Sequence, residues 1–270
     1  SVLSWPVNTE KFCSMYSTVD TNLKQKKTAT VQRTANVVIL GGSMTFMNGD
    51  KNCKKDVTLK GECSHPVSEQ GLAHGCAWFS YVAKFLNTEY PNIDFSFYNF
   101  AESGYSSGLM ANDVPLLFDS INRTEYDIVI LDHSCNDSGG PHTAIELLVR
   151  SVMRAYGADV PTIIVSEQWM HEPGAKRGWY VPRNRMYTGY TKSYRTISEA
   201  YGLLYFSYNE FLWSKSNDLF ETLKSYPLHP PWFSHMFIGD IFAGYFRKQI
   251  VDHCIKDTSS LSSARNTKFG

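Results

Sequence analysis

The chain has 270 residues, 43% hydrophobic and 19% charged, a balance that suits one large globular domain or two small ones with a real core. Its 26 basic residues are matched by 26 acidic ones, so it lacks the basic excess that nucleic-acid or membrane-surface partners call for. No apolar run reaches the roughly 18–20 residues of a membrane helix.

Residues 1–33 are polar and weakly patterned, and the expectation is an N-terminal arm packed on the domain; its Lys24–Lys27 cluster reads as a solvated loop. The first strand covers 34–42 and stops abruptly on Gly41-Gly42-Ser43. Glycine takes turns at no steric cost, so that tip is either a plain turn or a seat for a nucleophile. Residues 46–74 carry Gly, Asn, Lys, Asp and two cysteines without a period, so a long inserted loop is expected. Trp78, Phe79, Val82, Phe85 and Leu86 then recur at helical spacing, and Pro91 ends that helix. A strand follows at 94–100, a helix at 110–120 and a short apolar strand at Tyr126–Leu131. Ile145, Leu148, Val149, Val152, Met153 and Tyr156 mark the next amphipathic helix, with Gly157 as its C-cap. Pro161–Val165 is a strand, 173–187 a loop, 190–201 a helix and Leu203–Tyr208 a strand. Ile238, Ile241, Phe242 and Tyr245 belong to a last helix reaching about Lys256, and 257–270 is a Ser-rich tail expected to fray.

Short apolar strands thus alternate five times with amphipathic helices. That pattern predicts an α/β fold, a three-layer α/β/α sandwich around a parallel five-stranded sheet. In such a sheet the strand C-termini share one edge, and that edge collects the chemistry. Here it collects Ser43, then Asn99 through Gly104, then Asp132-His133-Ser134-Cys135-Asn136-Asp137; the His229-Pro230-Pro231-Trp232 stretch precedes the last helix. A serine, a glycine turn, an asparagine and a histidine are the parts of acyl transfer: a nucleophile, a base and donors for an oxyanion.

In order and in placement these four blocks resemble the SGNH (GDSL-type) hydrolase superfamily, over about residues 34–256. The resemblance implies a flavodoxin-like sheet and an esterase. It implies Ser43 as nucleophile, the Gly104 backbone N–H, the Asn136 side chain and the Ser43 N–H as oxyanion donors, and His229 as general base; His235 resembles a second histidine often found on the following helix. No cofactor or metal is implied. Two positions depart from the family pattern. Gly42 stands where Asp is common, a position without a chemical role. Tyr226 stands three residues before His229, where the family usually has the aspartate that orients the imidazole. A backbone carbonyl, or an acid from elsewhere such as Asp218 or Glu221, would then serve, or the site is impaired.

Other readings compete at several of these residues. Asn136-Asp137-Ser138 is also a glycosylation sequon, but a glycan there would block the pocket. Cys135 lacks local signs of activation and reads as structural. His65, His74, His142 and His171 form no helical His-x-x-x-His pair, so a metal site is unsupported. Glu102 and Glu167 at strand ends would suit a glycosidase pair, but that leaves Ser43 and His229 without purpose.

Six cysteines (Cys13, Cys53, Cys63, Cys76, Cys135 and Cys254), the Asn122-Arg123-Thr124 sequon and a start at Ser1, as if an upstream segment were processed off or left out, favour a secreted, disulfide-bonded glycoprotein. Cys53 with Cys63, and Cys13 with Cys254, are candidate pairs. The functional expectation is a secreted serine esterase, a monomer without a nucleic-acid partner, acting on small acyl esters. O-acetyl groups on carbohydrate are the favoured class, for which the aromatic-rich loop with Trp169, Trp179 and Tyr180 is suited. The alternatives are acyl transfer to another hydroxyl and a non-catalytic carbohydrate-binding protein on the same scaffold.

Overall fold

A computed structural model describes Cys13 and residues 33–42, 45, 77–91, 93–120, 126–134, 136–137, 143–167, 190–208 and 232–250. The regular elements are β1 (Arg33–Gly41), α1 (Trp78–Glu89), β2 (Ile93–Asn99), α2 (Ser107–Ser120), β3 (Ile128–Asp132), α3 (Ala144–Tyr156), β4 (Thr162–Glu167), α4 (Tyr190–Tyr201), β5 (Leu204–Ser207) and α5 (Trp232–Ile250). The expected arm, inserted loop and tail lie outside the described residues, apart from Cys13 and Arg33. Cys13 is disulfide-bonded and packs against the core.

All four strand pairings are parallel, and the sheet order is β2-β1-β3-β4-β5. This is the flavodoxin-like order that the family resemblance implied. β3 and β4 are buried at every position, because both of their faces are covered. Val37, Ile39, Ile128, Ile130 and Ile164 join one core with residues of α1 and α5. Val38, Leu40, Val129, Leu131 and Val165 alternate into a second core with α2, α3 and α4. The first core is ring-rich: Phe242 of α5 lies 4.9 Å from Trp78 of α1 and 4.6 Å from Phe206 of β5.

Apart from α2, the element boundaries follow the expectation to within two residues, except the last helix, whose expected stretch from 251 to about Lys256 lies outside the described residues. The exception with a physical cause is α2, which begins three residues before 110. Its first turn is capped from a distance: the Ser107 N–H donates to the Asp137 carboxylate at 2.7 Å. Gly157 caps α3, its N–H bonded to the Met153 carbonyl at 3.0 Å.

The chain leaves β1 toward β2 on one side and reaches β3 on the other. The strand order therefore reverses between β1 and β3, the switch point at which open α/β sheets place their sites. Gly41 and Asp132 are register partners at that point.

Candidate active site

β1 ends in a turn held from several sides. The Gly42 N–H donates to the Asp132 carbonyl at 2.9 Å, and the Thr45 N–H donates to the Gly42 carbonyl at 3.1 Å. The Thr45 hydroxyl donates to the Asp132 carboxyl, and the Trp78 indole N–H donates to the Thr45 oxygen at 3.1 Å. These three side chains are buried. Burial pushes the Asp132 carboxyl up to about 7, against the opposing pull of the Thr45 and Trp78 hydrogen bonds.

The second loop begins where β2 ends. The Phe100 N–H bonds the Ile39 carbonyl at 2.9 Å and the Glu102 N–H bonds the Gly41 carbonyl at 3.0 Å, so this loop lies along the β1 tip. Tyr105 N–H closes a turn onto the Glu102 carbonyl at 3.2 Å, with Gly104 at φ +79. At that φ the third position of the turn favours glycine. A Cβ on Gly104 would meet nothing within 4 Å, so its constraint is backbone angle rather than space.

The third loop leaves β3 and meets both others. The Asn136 amide packs against Gly42: a Cβ built on Gly42 would sit 1.8 Å from Asn136 Oδ1 and 3.1 Å from the Tyr105 carbonyl. His133 braces this meeting point. Its Nδ1 bonds the Tyr105 carbonyl at 3.1 Å, and its own carbonyl accepts the N–H groups of Asn136 at 2.9 Å and Asp137 at 3.0 Å. Burial holds the imidazole below its ordinary range, hence neutral. As the Nδ1–H tautomer it donates to Tyr105, while Nε2 has no partner among the described residues. Asp137 then ties the loop to two helices, accepting from the Ser107 hydroxyl at 2.6 Å and from the Tyr194 phenol. Burial first, and the Asp137 charge second, raise that phenol well above its usual range, so it remains a donor.

Of the four site residues expected from the sequence, Gly104 and Asn136 fall on loops that meet the β1 tip. Ser43 directly follows Gly42 in the chain but lies outside the described residues, as do His229, Tyr226, Asp218, Glu221 and Cys135. His235 is buried at the start of α5. The competing carboxylate pair does not assemble. Two strands separate β2 from β4, so Glu102 and Glu167 close strands that are not neighbours. Glu167 is instead buried, accepting from the hydroxyls of Tyr205 and Ser207. Among the described residues no cluster of His, Cys, Asp or Glu is placed to hold a metal, and no helix is long and apolar enough to cross a membrane.

The bracing residues Thr45, Asp132, Trp78 and His133 received no role from the sequence. Trp78 reads there as one member of an apolar stripe. The available signal was Asp132, a carboxyl closing a strand that is otherwise wholly apolar.

No protein-family model and no curated protein matches the chain. Solved structures do. A two-domain esterase (CEX) active on acetylated mannans matches with a TM-score of 0.55 at 18% identity, over 89% of this chain and 54% of that one. This chain therefore spans about half of that esterase. Axe2, an acetyl-xylooligosaccharide esterase from Geobacillus, matches with a TM-score of 0.52 at 17% identity over 78% of this chain and 94% of its own. A protein described as a GDSL-like lipase from Parabacteroides merdae matches with a TM-score of 0.54 at 13% identity, over 84% and 99%. Identities this low speak for a common fold, the three-layer α/β/α sandwich of these hydrolases.

Proposed function

We propose that the chain is a serine ester hydrolase that removes small acyl groups, with O-acetyl groups on carbohydrate as the substrate class. The observation that carries this reading is the contact of the Asn136 amide with Gly42, which brings that side-chain amide to the residue that precedes Ser43. Ser43 Oγ attacks the ester carbonyl and its proton passes to His229. The Gly104 and Ser43 N–H groups and the Asn136 side chain take the charge of the tetrahedral oxyanion. Collapse expels the alcohol, which leaves with the proton held by His229. Water then attacks the acyl-serine by the same route and frees the acid and Ser43.

The carbohydrate part is supported by two relatives in fold, the esterase active on acetylated mannans and the acetyl-xylooligosaccharide esterase. Secretion is part of the proposal, supported by the Asn122 sequon and by the disulfide at Cys13. Tyr226, at the place where the family carries an orienting aspartate, favours a second reading: a carbohydrate-binding protein without turnover. One experiment separates them. A fluorophosphonate probe is expected to label the purified protein at Ser43, and p-nitrophenyl acetate to be cleaved above a Ser43→Ala control. If neither occurs, the binding reading takes its place.

A further inference from the structure

We propose that Asp132 and Thr45 form a positioning pair that sets the placement of Ser43, an inference that rests on the reading of Ser43 as the nucleophile. Asp132 holds the chain on both sides of residues 43–44. Its carbonyl takes the Gly42 N–H at 2.9 Å, and its carboxyl takes the Thr45 hydroxyl. The Thr45 N–H returns to the Gly42 carbonyl at 3.1 Å, so the bracket closes on itself. The Trp78 indole fixes the Thr45 oxygen from the α1 side at 3.1 Å. Gly41 has no slack to give: a Cβ there would lie 2.8 Å from the Thr45 Cβ and 3.1 Å from the Asp132 carbonyl. One residue at the end of β3 thus anchors the positions immediately before and two after the nucleophile.

The chemistry of the pair argues for positioning over bulk stability. Every other position of β3 is apolar, and an apolar side chain at its end would be buried without the desolvation cost of a carboxyl. A carboxyl–hydroxyl bond provides what packing alone does not, a directional hold on one atom. Catalysis is sensitive at that level, since a displacement of about 1 Å at a reacting group costs about a hundredfold in rate.

The test uses the full chain and a fluorophosphonate probe, with p-nitrophenyl acetate kinetics and thermal midpoints measured alongside. Thr45→Val removes both the donor to Asp132 and the acceptor of the Trp78 indole while keeping the shape; Thr45→Ser keeps both. Thr45→Val is expected to slow labelling of Ser43 by at least about tenfold and to lower kcat in step with little change in KM. Thr45→Ser should stay near the wild-type rate. Asp132→Asn combined with Thr45→Val should be no slower than the slower single variant, because both act through one bond. If Thr45→Val does not fold, Thr45→Ala replaces it. A folded donorless variant that labels at the wild-type rate overturns the proposal while leaving the esterase reading intact. A wild-type protein that takes no label at Ser43 overturns the esterase reading first and the pair's role with it.

Discussion

The Asn136 amide oxygen occupies the space that a side chain at Gly42 would need, 1.8 Å from the point where a Cβ would stand. This contact joins the β1 tip to the loop after β3 at the point where the sheet order reverses. Gly42 is thereby more than a neutral departure from a family pattern: with Asn136 seated as it is, this position accommodates no side chain.

Gly42→Ala is therefore expected to displace the Asn136 side chain. Overpacking a tight site costs about 1–3 kcal/mol of stability. If Asn136 donates to the oxyanion, kcat on p-nitrophenyl acetate should fall by about 10²–10³, the loss typical of one oxyanion donor. Asn136→Ala provides the comparison, and the two variants should lose similar amounts. Full activity in a folded Gly42→Ala protein would remove Asn136 from the proposed mechanism.

The Asp132 carboxyl makes stability depend on pH in a direction opposite to that of most acidic groups. Burial raises it from 3.8 to about 7 in the folded chain. Between those values the folded chain holds a proton that the unfolded chain has released. The contribution is complete below about pH 4 and is lost as pH rises through about 7. Asp132→Asn has no proton to lose. Relative to the variant, the wild type is expected to weaken by about 4 kcal/mol across that whole window, with most of the change between pH 5 and pH 8. Urea unfolding of both proteins at those two pH values measures it. A difference that stays flat would mean that the carboxyl ionises normally despite its burial.

The strands, helices and common edge were legible because each rests on local pattern: short apolar runs for β1, β3 and β4, and helical spacing for Trp78 through Leu86 or Ile145 through Tyr156. The placement of Gly104 and Asn136 on loops that meet the β1 tip was legible because strand ends in a parallel sheet collect at one edge. The bracing was not, because its side-chain bonds join distant parts of the chain. Thr45 and Asp132 are 87 residues apart and Ser107 and Asp137 are 30 apart, and no periodicity records such pairs. The early start of α2 has the same origin, a cap delivered by Asp137. Trp78 shows the limit most clearly. Its ring belongs to the apolar stripe as read, but its indole N–H reaches Thr45, and a hydropathy pattern carries no trace of that polar edge.

Asp137 is the junction whose removal should be felt most widely. Its carboxylate gathers the Ser107 N–H at 2.7 Å, the Ser107 hydroxyl at 2.6 Å and the Tyr194 phenol, all in a buried setting. Asp137→Ala removes the shared acceptor of three buried donors and leaves the Ser107 and Tyr194 hydroxyls only each other, at 3.4 Å; hydrogen bonds to a charged group are worth about 1.5–3 kcal/mol each before relaxation. The expected loss is about 3–5 kcal/mol of unfolding free energy, read by chemical denaturation. Tyr194→Phe deletes one donor only and leaves the helix cap, so about 1 kcal/mol is expected there. Because Asn136 directly precedes Asp137 and shares the His133 carbonyl with it, Asp137→Ala should also lower kcat at temperatures where the variant is fully folded. Tyr194→Phe should leave kcat near the wild-type value. Equal stability losses in the two variants would show that the Ser107 cap contributes little, and would detach the start of α2 from the anchoring of the Asn136 loop.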